Sequence, residues 1–165
     1  MNPGTPPRVT AAYRMLADGR GHLAGERYRR ARRSLDVARA RFDDACVPVT
    51  AARVEFELGI VLMVDGWYAE ASESLGRAAA FFEERGDRGM AGRCRVWKAA
   101  ARRAAGEIAA ARRELRAVEE PGAAADPYAF AVVSGRVAVE LGDLDEAERS
   151  FDHAERVRPE TSSGI

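Results

Sequence analysis

An alanine returns along this chain as Ala31, Ala71, Ala111 and Ala147, at steps of 40, 40 and 36 residues, and its neighbours keep the same steps. Leu35, Leu75, Leu115 and Phe151 recur with it, as do Ala38, Ala78, Val118 and Ala154, and ahead of it Tyr28, Tyr68, Ile108 and Leu144. A chain that repeats itself at this period builds one small unit several times and stacks the copies, because each unit can bury its apolar face only against its neighbours. Within a copy the recurring residues lie four and three apart, which is one face of a helix. In the last copy Ala147, Phe151 and Ala154 hold that face, while Asp145, Glu146, Glu148, Arg149 and Asp152 take the other. A glycine turn (Gly66, Gly106, Gly142) opens this helix, and Pro159 ends the last one. Seven residues before each turn stands a small residue, Gly19, Gly59, Ala99 or Gly135, that lets two helices cross closely.

This order of a small residue, a turn glycine, alanine, an aromatic or leucine, alanine and proline resembles the tetratricopeptide repeat, in a long bacterial-type form of about 40 residues. The resemblance runs from about Ala12 to Thr161. It implies an all-α fold: a right-handed α-solenoid of about four helix-turn-helix repeats, about eight helices in all. The expected layout is a flexible tail over 1–11, a single domain over 12–161 and a short tail over 162–165. The repeats fall at about 12–45, 52–85, 92–125 and 128–161. Phe42 and Phe82 lengthen two of the second helices by a turn. Three places break the pattern. In the first repeat Glu26 replaces the turn glycine, and Gly19, Gly21 and Gly25 predict a short or frayed first helix. In the third, Arg95, Lys98 and Arg102 stand where apolar residues belong. A shift of one residue would make Met90, Cys94, Trp97, Ala101 and Ala104 the buried stripe, with a longer turn before Gly106. After residue 120 a loop follows, with Pro121 stopping one helix and Pro127 opening the next.

The 26 basic and 26 acidic residues cancel, so no overall field draws the chain to nucleic acid or an anionic membrane. The charge is nevertheless unevenly placed. Residues 1–41 carry +7, 42–90 carry −6, 91–118 carry +6 and 119–165 carry −7, so successive repeats attract. The arginine run RYRRARR at 27–33 reads as the solvated face of a helix whose other face holds Leu35 and Ala38, not as a nucleic-acid contact. No stretch near 18 residues is apolar throughout, the first residues do not read as a signal peptide, and the two cysteines read as reduced thiols. The expectation is therefore a cytoplasmic protein without membrane contact.

Chemistry is sparse. The only histidines are His22 and His153, far apart in the predicted stack, and no phosphate-cradling glycine loop of either common type occurs. The acidic pairs, among them Glu55 and Glu57, read as solvated charge. No enzyme activity, cofactor or metal is expected. The family resemblance instead places function on the concave face lined by the first helices. In its register those positions are Tyr13, Leu16 and Arg20; Arg53, Phe56, Ile60 and Met63; Arg93, Val96, Ala100 and Arg103; then Ala129, Val132, Arg136 and Val139. None is acidic. Arg53, Phe56, Ile60, Met63, Arg93, Val96, Arg103 and Arg136 are thus the candidate groove for an acidic, partly hydrophobic segment of a partner protein. The bland reading is that Phe56, Ile60 and Met63 pack the superhelix. The alternative function is a self-associating structural or regulatory accessory module, as in bacterial regulators and CHAT-type systems. No further capping helix is expected after the last repeat, and its first helix holds Val132, Val133, Val137, Val139 and Leu141, which makes a homodimer through that end a further expectation.

Overall fold

The computed structural model describes residues 7–118 and 126–159. Over them the chain forms α1 (Pro7–Ala24), α2 (Tyr28–Asp44), α3 (Pro48–Val64), α4 (Tyr68–Glu84), α5 (Arg88–Ala104), α6 (Ile108–Arg116), α7 (Pro127–Glu140) and α8 (Leu144–Arg156). Each helix packs on the next, which makes an all-α helical-repeat solenoid with no strand among the described residues. Among them, too, no helix is long and apolar enough to cross a membrane.

One kind of turn builds the stack. At the α3–α4 junction Gly66 N–H donates to the Met63 carbonyl (3.2 Å) and Trp67 N–H to the Leu62 carbonyl (2.8 Å). This pair of bonds satisfies the last carbonyls of a helix when the residue between them takes a left-handed conformation. The same pair recurs at residues 26, 46, 86, 106 and 142. The helices α2 to α6 accordingly start at 28, 48, 68, 88 and 108, a step of 20 residues, half the 40-residue step of the sequence. Proline at the first turn of α3 and α7, and Asp87, Asp126 and Asp143 accepting the N–H groups of Met90, Ala129 and Glu146, fix several of the starts.

This regularity corrects several expectations. The tail foreseen over 1–11 is already helical from Pro7, and α1 runs unbroken for 18 residues despite its glycines. Gly19 is buried there at a helix crossing, so packing outweighs its poor propensity. Glu26 takes the left-handed turn position itself, with φ of 55°. The pairs begin at 7, 48, 88 and 127, up to five residues before the expected repeat boundaries. The third repeat needs no longer turn, because Gly106 stands 20 residues after Gly86 in the same bonding pattern. Within the stripe foreseen by the one-residue shift, Cys94 and Ala101 are buried, Met90 and Trp97 half-buried and Ala104 exposed, while Val96 and Ala99 of the unshifted register are buried. Finally α6 stops at Arg116, earlier than residue 120, and the shorter last step of 36 residues appears as α7, with 14 residues against the 17 of α5. Pro121, Thr161 and the expected tail at 162–165 lie outside the described residues.

The core is continuous from α1 to α5 and includes Leu16, Leu35, Phe42, Val54, Val61, Leu75 and Phe82. Two smaller clusters lie beyond it: Ala99, Ala111, Leu115 and Val137 in one, Val96 and Val118 in the other. Within the pairs the recurring small residue admits a large one. A methyl group added at Gly19 would stand 2.8 Å from Leu35, at Gly59 2.6 Å from Leu75, and at Gly135 2.7 Å from Phe151.

Candidate functional site

Along the stack the backbone of α5 comes close to both α3 and α7, whereas among the described residues the second helices approach one another less closely, α6 and α8 meeting through the long side chains of Arg112 and Glu146. The row of helices that lies closer together is the inside of the curve, so the first helices of the pairs line the inner face.

Arg53 on α3 is exposed and makes no ion pair among the described residues, and the same holds for Arg136 on α7. Arg93 on α5 is half-buried, with its guanidinium 5.2 Å from the centre of the Phe56 ring. Its Nε is enclosed and finds no partner among the described residues. Phe56 is itself only 5% exposed and so forms the floor beneath Arg93, while Ile60 and Met63 are half-buried against the core. Two positions are corrected. Val96 is 1% exposed and packs with Val118, which removes it from the groove surface. Arg103 is already engaged, its Nη1 lying 2.7 Å from Glu140 Oε1.

Between α1 and α3 the inner face opens into a groove of 340 Å³. Buried Leu16 and Val54 lie at its base, and Tyr13 and Arg53 stand at its side. The Tyr13 ring is held edge-on to Phe42, with centres 4.9 Å apart. Arg20 and Glu57 join across the groove, Arg20 Nε donating to Glu57 Oε2 at 3.0 Å and Nη2 also reaching the carboxylate. Glu57 and Glu140 thus answer two of the inner arginines, acids that the register of first-helix positions omitted.

The strongest electrostatic features lie away from this face. Glu55, expected to be solvated, is buried with 7% of its side chain exposed, because a hydroxyl and two guanidinium groups surround it. Arg77 Nη2 lies 2.6 Å from Oε1, Ser74 Oγ donates to the same oxygen at 2.6 Å, and Arg39 Nε lies 3.1 Å from Oε2. One carboxylate therefore ties α2, α3 and α4 together, and a buried charge persists only when it is paired in this way. Glu114 on α6 does the same for the third repeat. Arg95 Nη1 lies at 3.0 Å, Lys98 Nζ at 2.8 Å and Arg102 Nε at 3.6 Å from its oxygens, while Arg95 Nε reaches Glu83 at 2.6 Å. The basic residues that seemed to break the repeat are half-buried because these acids neutralise them. Burial pushes the Cys94 thiol up to about 12, which disfavours its thiolate form. Cys46 is exposed in a turn, and neither cysteine is in a disulfide. No group of three or more His, Cys, Asp or Glu able to hold a metal ion occurs among the described residues.

No family model matches the chain, and neither the curated proteins nor the solved structures include a match to it.

Proposed function

We propose that the chain is a non-catalytic interaction module of tetratricopeptide type whose inner face binds an acidic, partly apolar segment of a partner protein. One observation carries this reading: Arg53 and Arg93 face the inner side without a carboxylate among the described residues, Arg53 beside an open groove that Tyr13, Leu16 and Val54 also line, in a molecule that pairs most of its inward and junction arginines with its own acids. Arg136 extends the same positive side onto α7. A guanidinium lacking a partner is a ready-made carboxylate site, and a charge-assisted hydrogen bond contributes about 1.5–3 kcal/mol. The setting is cytoplasmic, in keeping with two unpaired thiols.

The test is selection of random peptides displayed against the pure protein, followed by affinities of the selected peptides for Arg53→Glu and Arg93→Glu. Each change is expected to weaken binding by at least about tenfold with helicity intact. Unchanged affinity for both variants places the binding surface elsewhere.

A second reading, self-association through the last pair, is favoured by a specific exposure. Val139, Leu141 and Leu144 are 49%, 40% and 69% exposed at the α7–α8 end. The patch is narrower than the sequence implied, since Val132 and Val133 are half-buried and Val137 is 2% exposed.

A further inference from the structure

We infer that a second copy of this chain stacks head to tail on the first, its α1–α2 pair covering α8, with Glu148 of one copy meeting Arg27 and Arg30 of the other. This inference rests on the self-association reading above and names the surface that the α7–α8 pair meets.

The internal junctions supply the rule of contact. The residue just after the recurring alanine of one pair reaches the residue four before the alanine of the next. At the first junction the Arg32 guanidinium lies 5.6 Å from the centre of the Trp67 ring, and at the third Arg112 Nη2 lies 3.5 Å from Asp143 Oδ2. Arg112 also reaches Glu146, directly before that alanine, at 2.8 Å. Carried one step further, the residue after the alanine is Glu148, and the two places it meets in a following first pair are Arg27 and Arg30. The charges are exchanged relative to Arg112, Asp143 and Glu146, so the complementarity is kept. Glu148, Arg27 and Arg30 are all exposed, and none makes an ion pair among the described residues.

Apolar burial follows the same step. Leu35 and Leu75 are fully buried and Leu115 is 7% exposed, in pairs that another pair follows, whereas Phe151 at the same register is 40% exposed and shares its helix face with Leu144, 69% exposed. On α1 the registers that bury Val54 and Cys94, and Val61 and Ala101, hold Arg14 and Gly21, both exposed. Arg14 thus adds a cation to the surface offered to Glu148, Asp152 and Glu155, the exposed acids of α8. The blocks so joined carry +7 over 1–41 and −7 over 119–165, which continues the alternation of the internal junctions. One like-charged contact opposes them, since Asp18 and Asp152 hold the registers of Lys98 and Gly76, neighbours at the α4–α5 junction. A two-fold pairing of α8 with α8 would set all three acids against their own copies. A head-to-tail contact of this kind leaves a matching surface free on each copy, so association does not stop at two.

Sedimentation velocity of the full chain over a concentration series, at low and at physiological salt, is the test. The wild type is expected to grow beyond a dimer with concentration, and to do so less at the higher salt. Glu148→Arg alone, and Arg27→Glu together with Arg30→Glu, should each weaken association at least about tenfold with helicity intact. An equimolar mixture of these two variants should associate again, because each copy then offers the other a matched surface. Asp18→Asn, which removes the like-charged contact, should strengthen association of the wild-type sequence. Association that ignores the changes at Arg27 and Arg30 and stops at two copies overturns this inference and leaves self-association through the last pair standing. A wild type that stays monomeric at every concentration overturns both.

Discussion

Glu26 and Cys46 do what glycine does at the other turns. Both sit at φ of 55°, where Gly66, Gly86, Gly106 and Gly142 occupy the equivalent places with φ between 71° and 86°. For a residue with a Cβ the left-handed conformation costs about 1–2 kcal/mol, whereas glycine loses about 0.5–1 kcal/mol more chain entropy on folding. The difference favours glycine. Cys46→Gly should therefore raise the unfolding free energy by about 0.5–1 kcal/mol, and the exposed side chain removes nothing from the core. Urea denaturation of the wild type and the variant checks this, and an unchanged or lower midpoint would mean that the thiol makes a compensating contact. The same positions show why the sequence misled at its first repeat. A missing turn glycine reads as a missing turn, yet the two carbonyl-capping bonds at Glu26 are intact, because six equivalent turns impose one geometry that a single residue can be strained into.

The helix pair is the unit in which the small residues act. Gly59 is buried, and an added methyl group would meet Leu75 Cγ at 2.6 Å; Leu75 is fully buried and its Cγ cannot swing away as the tip of a long chain could. Alanine is the better helix former by about 1 kcal/mol, but overpacking costs about 1–3 kcal/mol, so Gly59→Ala should destabilise by up to about 2 kcal/mol. Exposed Gly21, with nothing near its added methyl group, should gain stability from the same change. A thermal melt of the two variants separates these outcomes: equal shifts of one sign would show that propensity, not the crossing, decides. This element was legible in the sequence, since Gly19, Gly59 and Gly135 each stand 16 residues before Leu35, Leu75 and Phe151. The carboxylates that tie the helices together were not. Glu55 and Glu114 are held by residues on neighbouring helices, and a one-helix periodicity sees only that an acid stands beside apolar residues. For the same reason the register pointed to Arg53 and Arg93 but could not show that Glu140 engages Arg103 or that Val96 faces Val118.

At the scale of the molecule, the alternating charge of the sequence becomes ion pairs across the junctions between repeats. Arg20–Glu57 and Arg39–Glu55 join the first pair to the second, Arg95–Glu83 the second to the third, and Arg103–Glu140 with Arg112–Glu146 the third to the fourth. In the first and last described helices, charged residues stand at registers that face a neighbouring helix further inside the stack. Arg14, exposed on α1, holds the register of Val54 and Cys94, which are fully buried. On α8 exposed Glu148 and Asp152 hold the register of Ser72 and Gly76, which on α4 lies toward α5, where Gly76 stands beside Lys98. Cohesion along the stack is nonetheless unequal, since one apolar core spans α1 to α5 while the fourth pair rests on two small clusters and on ion pairs about a third exposed. In a solenoid, where each repeat is held only by its neighbours, the weakest junction opens first. Native-state hydrogen exchange should therefore show amides of α7 and α8 exchanging at least tenfold faster than those of α3 and α4. Raising the salt concentration should widen that gap, because each partly exposed pair contributes less than about 1 kcal/mol and is screened within about 8 Å at physiological ionic strength. Equal protection from α1 to α8, insensitive to salt, would mean that the four pairs unfold as one cooperative body and that the apolar contacts of Val96, Val118 and Val137 alone suffice to couple them.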